Sequence, residues 1–141
     1  MSRRDSEKGK RAPAAEAGAK PLAGRTVLVV EANAEIAFEL AAILEEAGAA
    51  IVGPVASVQG AYDQMADRAI ETALLDVTLR NNETAFPLAD ALAAQRIPFV
   101  FISGQSSALM PPRYRDRAFL NKPYKSDEVV ELVLASLKSG L

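Results

Sequence analysis

The sequence predicts an α/β fold in which a parallel sheet of five strands is covered by helices on both faces. From Arg25 onward, strand-like and helix-like patterns alternate about every ten to fifteen residues, as in repeated βα units. Three short apolar runs also end in a polar residue, at Glu31, Asp76 and Ser103. Open parallel sheets bind ligands outside the carboxyl ends of their strands, and βαβ crossovers are right-handed. We therefore expect a doubly wound sheet with strand order 2-1-3-4-5.

The segment before Arg25 has a different composition. Residues 1–24 carry basic side chains among Ala, Gly, Ser and Pro, without apolar periodicity. Such a segment buries too little surface to offset its ordering entropy. We expect residues 1–24 to be a disordered tail, either a weak electrostatic tether or a segment without function, and residues 25–141 to form one domain.

The first βα unit begins with the strand Thr26–Glu31. Apolar residues then recur at three- and four-residue spacing from Ile36 to Ala47, which predicts a helix, and Gly48 is a suitable stop. A second strand, Ala50–Val55, leads into a helix that Ser57 can cap.

Two further units follow. The third strand is Thr72–Asp76, and its helix lies near Phe86–Gln95 because Pro87 fits the first turn. The fourth strand is Pro98–Ser103. Its helix should be shortened or disordered, since Gly104–Asp116 offers barely two turns before two prolines.

The chain closes with a fifth strand near Ala118–Leu120 and a last helix that begins at Ser126. Between the fourth and fifth strands, three arginines alternate with other residues around Tyr114. This stretch, residues 113–117, is either a surface for a partner or anion, or a solvated loop.

Composition excludes several kinds of chemistry. The chain has 141 residues, no cysteine and no histidine, which removes disulfides, thiolate nucleophiles, Ser-His triads and the usual zinc sites. A net charge of −2 gives no electrostatic reason to expect nucleic acid. The sequence shows no membrane-length apolar run and no leader pattern, so we expect a cytoplasmic protein without membrane contact.

The polar groups at the strand ends form a coherent set. Glu31 and Asp76 are carboxylates, Ser103 is a hydroxyl, and Lys122 follows the apolar start of the fifth strand. Because the carboxyl ends of parallel strands share one edge, these groups should converge there. A carboxylate nucleophile, an acidic metal partner, a hydroxyl donor and a cation are parts suited to accepting a phosphoryl group.

With these motifs the chain resembles the receiver domain of two-component response regulators over about residues 25–138. The matching segments are Val-Leu-Val-Val-Glu at 27–31, Leu-Leu-Asp-Val at 74–77, Phe-Ile-Ser-Gly at 101–104 and Asn-Lys-Pro-Tyr at 121–124. The resemblance implies a flavodoxin-like (βα)5 fold and phosphorylation of Asp76 by a histidine kinase. It also implies that Ser103 contacts the phosphoryl group, that Lys122 supplies a cation and that Phe119 is the aromatic switch.

The resemblance further implies a magnesium site formed by Glu31, Asp76 and the Thr78 backbone carbonyl. Receivers usually carry two adjacent acids after the first strand, but here Ala32 follows Glu31. Magnesium can be held by one or two carboxylates plus water and phosphate, so we expect weak binding of Mg²⁺. Arg80 replaces a proline often found after the acceptor.

The expected role is a stand-alone receiver rather than an enzyme, with at most weak self-catalysed phosphotransfer. Its partners would be a sensor histidine kinase or phosphotransfer protein and a downstream protein, unless it serves as a phosphate sink or relay. A homodimer is compatible with the sequence. The Phe-Ile-Ser-Gly segment is similar to the Phe-Ala-Thr-Gly motif of certain alphaproteobacterial receivers, some of which act in general stress signalling.

Three other functions use part of this set of residues. A haloacid-dehalogenase-type phosphatase needs an acid two residues after the aspartate, where Thr78 lies, and an FMN carrier needs a phosphate loop in place of residues 31–35, which are acidic. The third alternative is a pseudo-receiver, a protein-binding module with the same fold that is not phosphorylated. Ala32 is the residue that favours it.

Overall fold

The five predicted strands form one parallel sheet in the computed structural model, which describes residues 20–106 and 110–139. The strands are β1 (Thr26–Val30), β2 (Ala50–Val55), β3 (Thr72–Asp76), β4 (Phe99–Ser103) and β5 (Phe119–Asn121). All neighbouring pairs are parallel, and the spatial order is β2-β1-β3-β4-β5. The predicted fold class and strand order are therefore confirmed.

In the described residues, four α-helices connect or follow these strands: α1 (Ala34–Glu46), α2 (Val58–Asp67), α3 (Phe86–Ala94) and α4 (Ser126–Ser139). Local sequence sets their ends. Asn33 Oδ1 accepts from the Ile36 N–H at 3.1 Å, and Ser57 Oγ accepts from the Gly60 N–H at 3.0 Å, so each caps the helix that follows. Gly48 ends α1 at a φ of +104°, and a Cβ there would lie 2.9 Å from the Ala23 backbone.

The sheet is buried on both faces, which explains its continuous apolar strands. Leu28 and Val30 of β1 face one layer that contains α2 and α3. Val27 and Val29 face the other layer, which contains α1 and α4. A hydrogen bond between two side-chain hydroxyls links β3 to α4 in the second layer: Thr72 Oγ1 and Ser136 Oγ lie 2.8 Å apart.

No α-helix lies between β4 and β5 in the described part of the chain. A 3₁₀ turn, Pro112–Tyr114, is found there instead, and residues 107–109 lie outside the described residues. The prediction of a reduced fourth helix is confirmed in this respect. Within residues 113–117 the structure separates two environments: Arg113, Arg115 and Asp116 are exposed, whereas Tyr114 is buried, at 4% exposure.

Tyr114 packs against aromatic residues of α3 and β4. Its ring centroid lies 5.3 Å from that of Phe101, 5.7 Å from Phe99 and 6.1 Å from Phe86. Its hydroxyl donates to Asp90 Oδ1 on α3, and the Arg113 guanidinium makes two hydrogen bonds of 3.0 and 3.1 Å to the same carboxylate. The turn is thus anchored to α3 by an aromatic ring and a shared carboxylate.

The amino-terminal boundary differs from the expected one. Leu22 is fully buried in the layer that contains α1, and its N–H donates to the Ala47 carbonyl at 2.8 Å. Residues 20–24 therefore belong to the folded unit rather than to the tail, because the apolar Leu22 side chain covers the end of α1. The rest of the expected tail, residues 1–19, lies outside the described residues. No helix within 20–106 and 110–139 is long and apolar enough to cross a membrane.

Candidate functional site

Glu31, Asp76 and Lys122 converge at the carboxyl edge of the sheet. Glu31 follows β1, Asp76 is the last residue of β3, and Lys122 follows β5. Backbone hydrogen bonds continue the strand pairing to this edge: the Glu31 N–H donates to the Val55 carbonyl at 2.9 Å, and the Lys122 N–H donates to the Ser103 carbonyl at 2.9 Å. The sheet register therefore positions all three side chains.

The lysine ammonium bridges the two carboxylates. Lys122 Nζ lies 2.9 Å from Glu31 Oε1 and 3.0 Å from Asp76 Oδ2. Glu31 Oε2 accepts from the Asn33 N–H at 2.9 Å, whereas Asp76 Oδ1 has only a long contact of 3.4 Å with the Thr78 N–H. Asp76 Oδ1 is thus the least engaged of the four carboxylate oxygens and the best placed to act as a nucleophile or ligand.

Both carboxylates are removed from water, with Glu31 3% and Asp76 6% exposed. Burial and, next to it, the nearby Glu31 carboxylate raise the pKa of Asp76 while Lys122 lowers it, and the combined effect is a pKa of about 6. For Lys122, burial lowers the pKa, but its bonds to Glu31 and Asp76 outweigh burial and raise the pKa above its ordinary value. Two acids share one cation, so the site favours additional positive charge.

The remaining predicted residues, Ser103, Thr78 and Phe119, lie in three different environments. Ser103 is buried at the end of β4, and its Oγ accepts from the Gln105 N–H at 3.0 Å, which closes the following turn. Thr78 is exposed and pairs with Thr84 in an isolated bridge. Phe119 begins β5 and is half-buried against the core layer that contains Tyr114.

Glu31 and Asp76 bring carboxylate oxygens to this edge. Carboxylate and carbonyl oxygens are the ligands that Mg²⁺ prefers, and it commonly keeps several waters. In the described residues, no group of three His, Cys, Asp or Glu side chains could enclose a metal. Lys122 contacts one oxygen of each carboxylate, so Glu31 Oε2 and Asp76 Oδ1 are the two that it leaves for an ion, and the Ala32 side chain contributes no oxygen.

Two features of this edge were not predicted from the sequence. Tyr124, two residues after Lys122, donates its hydroxyl to Glu39 on α1, and its burial and that carboxylate raise its pKa. A cavity of about 300 Å³ also opens beside Glu31, with Ala32 and Arg80 in its wall. No local pattern signals either feature, because each joins residues from separate elements.

The chain is similar to solved receiver structures. No protein-family model matches the sequence, and no curated protein matches it. SdrG from Sphingomonas melonis Fr1 is 42% identical over 81% of this chain and 96% of its own, with a TM-score of 0.71. A BeF3-activated conformation of SdrG matches equally, at 42% identity over 82% of this chain and 98% of its own, with a TM-score of 0.71.

More distant structures have the same fold. The receiver domain of NtrX from Brucella abortus is 25% identical over 80% of this chain and 98% of its own, with a TM-score of 0.71. A response regulator receiver protein from Sinorhizobium medicae WSM419 is 21% identical over 83% of this chain and 97% of its own, also with a TM-score of 0.71.

Proposed function

Because this chain belongs to the response regulator receivers, we propose that it accepts a phosphoryl group on Asp76 from a histidine kinase or phosphotransfer protein. The observation that carries this proposal is the bridging of two buried strand-end carboxylates by Lys122. The similar protein SdrG has a BeF3-activated conformation, and beryllofluoride on a carboxylate mimics a phosphoryl group.

The chemistry follows from the contacts of Asp76. Its Oδ1 attacks the phosphorus, the bond from phosphorus to the donor nitrogen breaks, and the imidazole leaves with the electron pair. Lys122 moves its hydrogen bonding from carboxylate to phosphoryl oxygen, which offsets the added negative charge. Ser103 exchanges its bond to the Gln105 N–H for one to the phosphoryl group. Magnesium, held by Glu31, Asp76 and the Thr78 carbonyl, would neutralise charge between carboxylate and phosphate.

The output of this step is a change in protein contacts. Phosphorylation adds a charge of roughly −1.5 to −2, by analogy with other phosphorylated residues. Movement of Ser103, followed by Phe119, would carry that change to the surface around β5. We propose that the chain acts in the cytoplasm as a stand-alone receiver, through a downstream protein partner or as a phosphate sink.

A pseudo-receiver is the second candidate. It is favoured by Ala32 and by the engagement of three of the four carboxylate oxygens with protein donors. In that case the same fold would bind a partner without covalent modification.

Intact mass spectrometry after incubation with acetyl phosphate and Mg²⁺ separates the two candidates. A receiver gains one phosphoryl group, and Asp76→Asn abolishes the gain. Asp63→Asn is the matched control, because Asp63 lies on the surface of α2. Absence of any gain in the wild-type protein, with no binding of beryllofluoride, would contradict phosphoacceptor function and favour the pseudo-receiver.

A further inference from the structure

The residue two positions after Lys122 ties the loop of that lysine to helix α1. Tyr124 donates its hydroxyl to Glu39 Oε1 on α1. Its ring is half-buried and packs against the core layer that contains α1 and α4. Neither side chain takes part in the attack on phosphorus, so a role of this bond in the reaction must be exerted through the loop that it holds.

The loop between β5 and α4 is held at both of its ends. At its start, the Lys122 N–H donates to the Ser103 carbonyl at 2.9 Å. At its end, the Lys125 N–H donates to the Glu128 carboxylate at 2.8 Å in the first turn of α4. Between these two points, the Tyr124 hydroxyl holds the loop against α1. The loop is therefore fixed to the sheet, to α4 and to α1.

A cavity of about 480 Å³ is lined both by this bonded pair and by the lysine. Its lining consists of Ile36, Glu39, Lys122, Pro123 and Tyr124. The Lys122 side chain is 22% exposed, whereas the Asp76 side chain that it contacts is 9% exposed. Lys122 thus borders open space on one side, and packing on that side does not fix its side chain.

The place of the Lys122 ammonium depends on its backbone, because a lysine stem has four carbons and many rotamers. Nζ lies 2.9 Å from Glu31 Oε1 and 3.0 Å from Asp76 Oδ2, and a shift of the loop would lengthen at least one of these contacts. Misplacement of a reacting group by about 1 Å can slow a reaction roughly a hundredfold. The bond that holds the loop against α1 therefore bears on the reaction.

The Tyr124 hydroxyl is suited to hold the loop because it remains protonated. Burial, followed by the Glu39 carboxylate, raises the pKa of Tyr124, and the Glu31 carboxylate acts in the same direction. A hydrogen bond to a carboxylate is stronger than one between neutral groups. The effect of Glu31 also means that the hydroxyl lies within electrostatic reach of a carboxylate that Lys122 contacts.

We propose that Tyr124 and Glu39 are positioning residues for the Lys122 ammonium: their bond holds the loop so that the ammonium meets the Asp76 carboxylate and then the phosphoryl oxygens. This inference rests on the proposed phosphoacceptor function and adds two residues that act on it through Lys122. In the test reaction, Asp76 Oδ1 attacks the phosphorus of acetyl phosphate, the bridging P–O bond breaks, and acetate leaves with the electron pair. The ammonium keeps its protons.

The first test measures the rate of phosphoryl gain by intact mass spectrometry, with acetyl phosphate and saturating Mg²⁺. Tyr124→Phe keeps the ring and should slow the reaction about fivefold, less than a full ångström of misplacement would. Glu39→Ala should slow it equally, and the double variant should be no slower than either single variant. Glu39→Gln should recover most of the rate, because its amide oxygen still accepts. Tyr62→Phe on α2 and Glu45→Ala on α1 are the matched controls, since both side chains are exposed and lie outside this cavity.

A second measurement determines whether the loss of rate arises at Lys122. NMR of the lysine side-chain nitrogens detects ammonium groups that exchange slowly, and Lys122→Met assigns the Lys122 signal by removing it. Because two carboxylates hold this ammonium, the wild-type protein and both controls should show the signal. Tyr124→Phe should weaken or shift it. An unchanged signal, or none in the wild-type protein, would refute the positioning of Lys122 by this bond.

The outcomes distinguish this inference from the proposed function. If the wild-type protein gains a phosphoryl group and Tyr124→Phe reacts as fast as Tyr62→Phe, Asp76 remains the acceptor and the positioning role is refuted. If no gain occurs, the affinity for beryllofluoride replaces the rate: weaker binding by Tyr124→Phe than by Tyr62→Phe supports the inference, and equal binding refutes it. Absence of binding by the wild-type protein overturns both proposals.

Discussion

Replacement of Asp76 by Asn should stabilise the protein at neutral pH. Burial and the neighbouring Glu31 raise the pKa of Asp76 from 3.8 to about 6, so the fold holds the proton of this carboxyl more tightly than the unfolded chain does. The contribution of Asp76 to the free energy of unfolding is therefore fully present below pH 3.8. It is lost as the pH rises through about 6. Asn has the shape of the protonated acid and cannot ionise.

The rise in the pKa of Asp76 from 3.8 to about 6 corresponds to a change of about 3 kcal/mol in the free energy of unfolding. The conversion is about 1.4 kcal/mol per tenfold change in the ionisation constant. The Asp76 side chain is only 9% exposed, so solvent screening reduces this figure little. We expect Asp76→Asn to gain about 2 to 3 kcal/mol above pH 7 and almost nothing near pH 4. With a urea m-value near 2 kcal/mol/M, the unfolding midpoint should rise by about 1 M.

Urea titrations followed by far-UV circular dichroism between pH 4 and 8, with a chelator present, measure this difference. The chain has no tryptophan, so helix content is the suitable signal. Asp63→Asn is again the control, since its carboxylate is exposed on α2. A variant that is less stable than wild type at pH 7, or a difference that does not vary with pH, would show that attraction to Lys122 outweighs burial and would refute this reasoning.

Two further predictions concern the metal and the turn before β5. Ala32→Asp should tighten Mg²⁺ binding in an isothermal titration because it adds a carboxylate to a site with few, and an unchanged affinity would mean that this side chain does not face the ion. Tyr114→Phe should cost about 1 kcal/mol in urea unfolding through the lost bond to Asp90, and Tyr114→Ala about 3 to 5 kcal/mol through the lost ring contacts. An equal loss of unfolding free energy in the two variants would mean that the hydroxyl alone, and not the ring, holds this turn against α3.

The boundaries of the elements were predictable where the sequence carries local signals. Ser57 caps α2, Pro87 lies in the first turn of α3, and Gly48 ends α1, each as predicted. These positions depend on interactions within a few residues of the chain, such as a side-chain oxygen and the N–H three residues later. The strand order was predicted from right-handed crossovers together with a pocket around Asp76 at the carboxyl edge of the sheet.

The environment of Tyr114 was not predictable in the same way. Its neighbours in sequence are arginines, a composition that also fits a solvated loop. Its burial depends on Phe86, Phe99 and Phe101, which come from α3 and β4. The burial of Leu22 was not predictable for a similar reason, because the end of α1 that it covers is distant in sequence.

The sequence by itself determined that Glu31, Asp76 and Lys122 share one edge of a parallel sheet, since a strand-end residue must lie where its strand ends. The tertiary structure alone decided which atoms meet there. It brings one ammonium group to two carboxylates, leaves Asp76 Oδ1 the least engaged oxygen, and places Arg80 at the cavity beside Ala32. Contacts between side chains depend on packing between separate elements to within an ångström, and periodicity along the chain does not encode that packing.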